Sequence, residues 1–389
     1  MPLRVIGMMS GTSFDAVDAA AVELAFDGDV IVLRPLGLIS RPYPEPLRAA
    51  ITAALPPHPV DLETVCRLDT EIGRCFADVA AAAVDELCDG RADLVASHGQ
   101  TVYHWVEDGA ARGTLQIGQP AWIAERTGLP VVADFRTRDI AAGGQGAPLV
   151  GLLDVLWLRS RPGNPVALNL GGIANITVDL GTDRPLAYDT GPANALLDAA
   201  VRAVTGEPYD RDGARAARGR VLPEALHRLL AAPYYRRLPP KSTGKELFHL
   251  GHLDGILSLD EDSLDDALAT LTELTARTVA EAILRHDPTE VVAAGGGLRN
   301  PTLAGRLAAL LGPVPLRSAD ELGLPSAAKE AILFALLGFL TVHGLPGTLP
   351  STTGARHPSV LGSITPGRRP LRTLAEPVPP RALEIRPAS

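Results

Sequence analysis

The sequence predicts an α/β protein built from two related domains, and three observations carry that expectation. The chain has 389 residues with 46% hydrophobic content, too long for one ordinary core and apolar enough to fill two. Two stretches, "LRVIGMMSGTSFDAVDAAAVELAF" and "PVALNLGGIANITVDL", each read as strand, glycine turn, strand. Each hairpin is followed by a third strand, helices and further strands. The residues of the two halves do not align, so what repeats is the order of elements.

The first half continues with a strand at "VIVLRPLGL". A helix is expected from about Asp61 to Cys88, because Leu62, Val65, Leu68, Ile72, Cys75 and Val79 recur at three- and four-residue steps. "DLVASHGQTVYHW" reads as a strand running into a polar turn, "PAWIAERTG" as a short helix ending near Gly128, and "LPVVADF" as another strand. "RTRDIAAGGQGAP" is rich in glycine and reads as a crossing loop. In the second half, "RPLAYDTGPANALLDAAV" gives strand, polar turn and helix, and "TEVVAAGGGLRNPTLAGRLAALL" gives strand, glycine turn and helix. The expected domains are residues 1–139 with about 350–366, and residues 140–349, followed by a Pro-rich tail, 367–389, expected to be extended or disordered.

The net charge of −9 argues against nucleic acid or an anionic membrane as a partner. The basic cluster "ARAARGR" reads better as a solvated helix face than as an anion site. Cys66, Cys75 and Cys88 form no CxxC pair and suggest reduced thiols in a cytoplasmic protein. The start of the sequence lacks the pattern of a secretory leader, and no apolar run reaches membrane-spanning length.

The opening turn is neither a P-loop, which needs G-x-x-x-x-G-K-[ST], nor a nucleophile elbow, because Gly7 and Ser10 have the wrong spacing. An ordinary hairpin would also collect turn residues. The pairing of turns decides between these readings. One glycine turn in each domain can approach a polyphosphate from two sides through free backbone N–H groups. The second turn contributes Gly171 and Gly172, and a third, "AGGGLRN" with Gly295, Gly296 and Gly297, opens a helix suited to the base and ribose end. Three such motifs in this order predict the two-domain actin-like ATPase and sugar-kinase fold, with a nucleotide cleft between the domains.

The chain also resembles the anhydro-N-acetylmuramic acid kinase family over roughly residues 4 to 366, through "GMMSGTSFDAVDAA", "SHGQTV", "QIGQPAWIAERTGLPVVADFR", "AAGGQGAPLV", "NLGGIANIT", "YDTGPANALLDA", "DRDGARAARGRV", "PPKSTGKELF" and "GGGLRNPTL". The resemblance implies an enzyme that uses ATP with Mg²⁺. It would open the 1,6-anhydro ring of a muramic-acid sugar with water, phosphorylate the sugar at O6 and return cell-wall fragments to metabolism, typically as a homodimer. It places the ATP loop on Gly11, Thr12, Ser13, Phe14, Asp15, Ala16, Val17 and Asp18, the general base on Asp189, and a carboxylate near sugar and metal on Glu330. The chain departs from the family pattern at Phe14 and Ala16, at Tyr103 and Gln119, and at Ser326 ahead of Glu330.

Phosphoryl transfer needs positioning and charge neutralisation, and Mg²⁺ needs one or two carboxylates near the phosphates. Asp15 and Glu330 are the candidate metal ligands, with a turn cap and a helix-surface residue as their plainer roles. Asp189 suits proton abstraction from water, with helix capping as its plainer role. His98 is a candidate sugar contact or turn stabiliser. It and His104 lie six apart, which is not the spacing of a helical zinc pair. Arg136 is a candidate for the lactyl carboxylate, unless it pairs with Asp134 or Asp139. "KSTGK", Lys241 to Lys245, has no assigned role. The competing functions are a levoglucosan-type kinase and a non-catalytic nucleotide-binding module.

Overall fold

In a computed structural model of the chain, the structure describes residues 2–11, 14–179, 181, 185–239, 241–244, 247–368 and 378–387. Thr12, Ser13 and Lys245, singled out above, lie outside the described residues. The chain divides into two compact units, Met1–Ser160 with Gly323–Ser389, and Arg161–Leu322.

The first unit is a mixed sheet flanked by helices. Strands β1 (Leu3–Ser10), β2 (Ala16–Asp27) and β3 (Val30–Pro42) form an antiparallel meander, as the alternation in the sequence predicts. Next come β4 (Leu94–Glu107), β5 (Ala110–Ile117) and β6 (Val131–Ala133). β4 lies parallel to β1, β6 lies parallel to β4, and β5 turns back along β4. The order is therefore β3-β2-β1-β4-β6. Helix Leu62–Cys88 starts where expected because Asp61 accepts the Thr64 N–H at 2.7 Å, an N-cap. It carries all three cysteines, none in a disulfide.

The second unit repeats this topology. β7 (Pro165–Leu170), β8 (Ile173–Val178) and β9 (Leu186–Pro192) form the meander, and β10 (Glu290–Ala294) and β11 (Leu316–Ser318) extend it in parallel. The order β9-β8-β7-β10-β11 is the first unit's order again. Helices Asn194–Thr205 and Pro301–Leu311 follow the glycine turns as expected.

Four features differ from the sequence expectation, the first being the β4–β5 hairpin, where only a strand running into a turn was expected. Helices Gly151–Leu158 and Lys329–Val342, expected in the second domain, belong to the first unit. The second of these packs so closely on β1 that a Cβ on Gly7 would lie 1.9 Å from the Ala331 carbonyl oxygen. The Pro-rich tail contains a strand, Ala382–Ile385, that pairs in parallel with β3. "RTRDIAAGGQGAP" holds a short helix, Thr137–Ala141, ahead of its glycines.

Arg215 pairs with Glu261 at 2.7 Å and Asp265 at 3.2 Å, and Arg218 pairs with Asp265 at 3.0 Å, consistent with a solvated, ion-paired face. Among the described residues, no helix is long and apolar enough to cross a membrane.

Candidate active site

In the first unit the glycine turn leaves β1 at Gly11, whose carbonyl accepts the Phe14 N–H at 3.1 Å. Phe14 has φ 40°, so among the described residues of the turn it is left-handed, while Ala16 is extended in β2. Gln100 holds the turn from below. Its amide nitrogen donates to the carbonyls of Gly11 and Thr101, both at 3.2 Å, and its oxygen accepts the Tyr43 hydroxyl at 3.3 Å. Tyr43 and Gln100 are both buried, and burial pushes the Tyr43 phenol upward. Sequence reasoning missed this pair, although Gln100 lies inside the quoted "SHGQTV".

The pairing register of β1 with β4 shifts at this point, and Gly99 takes φ 72°. Such bulges re-aim neighbouring side chains. His98 turns inward, 4% exposed, with its ring 4.5 Å from that of Phe334. Nδ1–H donates to the Gly99 carbonyl at 3.0 Å, which leaves Nε2 to accept from Arg136 Nε at 2.9 Å. Burial first, and the Arg136 charge second, push the imidazole down to about 3. His98 is a neutral ring with both nitrogens engaged inside the protein, and it orients Arg136.

Arg136 also donates through Nη1 to the Gly146 carbonyl at 2.7 Å. It pairs with neither expected partner. Asp134 accepts the Thr137 N–H at 3.3 Å, and buried Asp139 accepts from Gly146 N at 2.8 Å and Thr353 Oγ1 at 2.7 Å. The carboxylate whose field reaches Arg136 is Glu330, which opposes the downward push of burial on the guanidinium. The guanidinium is thus half-buried, rigidly held and retains donors for an incoming anion.

Glu330 stands in the first turn of helix Lys329–Val342 with its side chain open to solvent. The surrounding protein raises its carboxyl, Arg136 and Lys329 pull it down, and Asp18 adds to the rise. Asp18 is therefore the carboxylate whose charge reaches Glu330. Asp15 is ion-paired with Arg48 at 3.1 Å on an exposed surface. Lys329, next in the chain, makes a buried 2.6 Å ion pair with Asp154 that fixes the start of this helix. His104 and Tyr103 are exposed on the β4–β5 hairpin, and the surrounding protein first, the Arg136 charge second, lower His104. Gln119 accepts the Ala121 N–H at 3.5 Å as a helix cap.

In the second unit Asp189 sits on β9, the edge strand of its sheet. Its N–H donates to the Lys241 carbonyl at 3.0 Å, its carbonyl accepts the Tyr234 hydroxyl at 2.8 Å, and its carboxylate accepts the Thr243 N–H at 2.8 Å. Lys241 and Thr243 thus pair with the sheet edge and aim the carboxylate. Asp189 lies ahead of helix Asn194–Thr205, so its carboxylate is held by this loop and does not cap that helix.

The two glycine turns of this unit meet. Gly171 and Gly172 accept backbone N–H bonds from Ala193, Asn194 and Ala195 at 2.9–3.1 Å, at the start of that helix. A Cβ on Gly295 would lie 2.6 Å from the Leu170 carbonyl oxygen, and one on Gly297 would lie 2.8 Å from the Leu170 Cβ. Only glycine allows that approach, and Gly295 also needs φ 100°. Gly296 lines a pocket of about 420 Å³ with Asn194, Tyr209, Arg211, Arg299 and Asn300. Its size and mixture of flat and polar groups suit a nucleoside.

Two units of one repeated topology, each with a glycine turn between its first two strands, define a protein of the actin-like ATPase and sugar-kinase class. Residues 3–367 match the anhydro-N-acetylmuramic acid kinase family. Curated members of that name from Streptomyces avermitilis and Streptomyces coelicolor are 63% and 62% identical, each covering 98% of this chain and 97% and 99% of the relative. A third from Rhodococcus erythropolis is 56% identical over 98% of this chain and 99% of its own length. The chain belongs to this family and is a kinase, a class that implies a sugar acceptor and ATP as phosphoryl donor.

Proposed function

We propose that the enzyme hydrolyses the 1,6-anhydro bond of 1,6-anhydro-N-acetylmuramic acid and transfers the γ-phosphoryl of ATP to O6, giving the 6-phosphate and ADP. The family's printed name supports the substrate, and the observation that carries the chemistry is the Asp189 carboxylate, fixed by the Thr243 N–H. Asp189 takes a proton from water as the water oxygen bonds to C1. The C1–O6 bond breaks, and O6 forms the new bond to phosphorus as the bond to ADP breaks.

The pocket beside Gly296 is the proposed nucleoside site, and the Gly171–Gly172 turn is the proposed phosphate contact of the second unit. Gly11 to Asp18 is the proposed phosphate contact of the first, its backbone braced by Gln100. Arg136 binds the lactyl carboxylate. Asp18 and Glu330 offer the hard oxygen donors that Mg²⁺ prefers, so this pair fits the ion better than Asp15 with Glu330. Mg²⁺ supplies charge neutralisation for the phosphates when bound. The reaction belongs to the recycling of cell-wall fragments in the cytoplasm, and the working form is a homodimer, which light scattering checks.

The test runs in ¹⁸O-water with Mg-ATP and the anhydro sugar. The promptly quenched product carries label at C1 and none in the phosphate. Asp189→Asn lowers turnover by about 10²–10⁴ while ATP still binds. Label in the phosphate, or equal turnover of levoglucosan, defeats this assignment. Absence of any sugar-dependent ADP leaves the nucleotide-binding module.

A further inference from the structure

The second unit holds a basic pocket that the proposed reaction does not use. Its volume is about 300 Å³, at the small end of ligand sites. β9 contributes Tyr188 and Thr190 to its wall, helix Leu264–Leu284 and the residue after it contribute Glu281 and Arg285, and the segment after Leu230 contributes Tyr235, Arg236, Arg237 and Lys241.

Four cations face one carboxylate there. Glu281 is already committed to Arg285. Arg236, Arg237 and Lys241 have no carboxylate partner among the described residues; Lys241 rests on the Tyr234 carbonyl at 3.4 Å and over the Tyr234 ring at 4.7 Å. Burial, then Arg285, lower the Lys241 ammonium against the pull of Glu281, and Arg237 adds to the push. The Tyr235 hydroxyl is buried without a hydrogen-bond partner. A buried polar atom without a partner costs stability unless a ligand completes it.

We propose that this pocket binds a phosphate monoester of monosaccharide size. Arginine forks match phosphate oxygens in a bidentate way, and a monoester carries close to two negative charges at neutral pH. Tyr188, Leu230, Pro239 and Ala282 offer the flat, apolar surface a sugar ring needs. The pocket is tied to the proposed base. Lys241 lines it, and the Lys241 carbonyl holds the Asp189 N–H while Thr243, two residues on, holds the Asp189 carboxylate. A bound anion draws Lys241 inward and changes how Asp189 is aimed. That coupling rests on the proposed role of Asp189, whereas binding does not.

Calorimetry with glucose 6-phosphate, inorganic phosphate and glucose tests the site on the full chain. Wild type binds the sugar phosphate, binds phosphate more weakly and ignores glucose. The double variant Arg237→Gln/Arg285→Gln loses about tenfold or more in affinity for the sugar phosphate. Its basal turnover stays that of wild type. In wild type, glucose 6-phosphate changes kcat even at saturating ATP and sugar, and in the variant it does not. Equal affinity in wild type and variant, or no binding heat in wild type, overturns the site. Binding of phosphate as tight as that of the sugar phosphate overturns the monosaccharide part. A loss of dimer mass in the variant shows instead that the cations face a second copy. Normal binding with no effect on kcat overturns only the coupling.

Discussion

Acidification tests the His98–Arg136 pair directly. His98 is buried as the neutral ring, and its pKa falls from the ordinary 6.5 to about 3. The unfolded chain therefore binds a proton at His98 below pH 6.5 that the folded chain refuses. Stability from this group is complete above 6.5 and is lost progressively as pH falls toward 3. Each pH unit in that window costs about 1.4 kcal/mol, so the step from 6.5 to pH 5 costs about 2 kcal/mol. His98→Phe keeps a ring against Phe334 and removes the titration. It also strips the Arg136 Nε–H and the Gly99 carbonyl of their partner, which costs about 1–3 kcal/mol near neutral pH. Urea unfolding of both proteins at several pH values should give curves that converge on acidification, because the other histidines titrate alike in both and cancel. Parallel curves would refute the assignment of a neutral, Arg136-accepting His98.

Four other outcomes follow from local geometry. Gly296→Val places its first side-chain carbon no nearer than 4.0 Å to Asn194, so the fold should tolerate it while ATP affinity falls tenfold or more, read by the nucleotide-induced shift in melting temperature. Gly7→Ala should lower stability by about 1–3 kcal/mol or more, measured by thermal unfolding, because its Cβ meets backbone. Glu273, 5% exposed and shared by Arg277 and Arg306, should cost about 1–3 kcal/mol on change to Ala, at the low end because both arginines can turn to solvent. Gln100→Leu should raise the KM for ATP more than it lowers kcat, since Gln100 braces the Gly11 carbonyl and touches no reacting atom.

Much of the fold was legible because the two meanders alternate cleanly and the long helix keeps a strict apolar stripe. The β4–β5 hairpin was missed because its outer residues, including Trp105 and Val106, are exposed and carry no burial pattern. Its turn did leave a signal. "EDGA" contains Asp-Gly, and Asp108 and Gly109 take φ 51° and 73°, the left-handed pair that two-residue hairpin turns demand. Helix Lys329–Val342 was given to the other domain because it is apolar on nearly all sides, so periodicity says nothing about which sheet it covers. The strand at Ala382–Ile385 is four residues long amid prolines, too short for alternation to show. Among the candidate residues, Asp189, Arg136 and Glu330 came from motif and resemblance. The reach of the Asp18 charge to Glu330, and the backbone donor from Thr243, depend on tertiary placement and leave no local mark.

The opening turn also divides its glycines between two tasks. Gly7 lies four residues before the turn's own glycine, in the middle of β1, and its missing side chain lets the backbone of helix Lys329–Val342 reach the strand at Ala331 and Ala335. Seven residues beyond Ala331, Gly338 lets it sit close to β4 as well, where a Cβ would lie 2.6 Å from that of Ala96. The helix is therefore pressed at two points onto the two parallel strands that lead to Gly11 and to His98. The Lys329–Asp154 ion pair fixes its first turn. Glu330 is in that turn, one residue from Ala331, so the position of its backbone is set by these contacts. A glycine that reads in the sequence as part of a phosphate turn thus seats the helix that carries Glu330. Rigid seating of this kind suits the proposed phosphoryl transfer, because catalysis of that reaction comes from positioning charge before it begins.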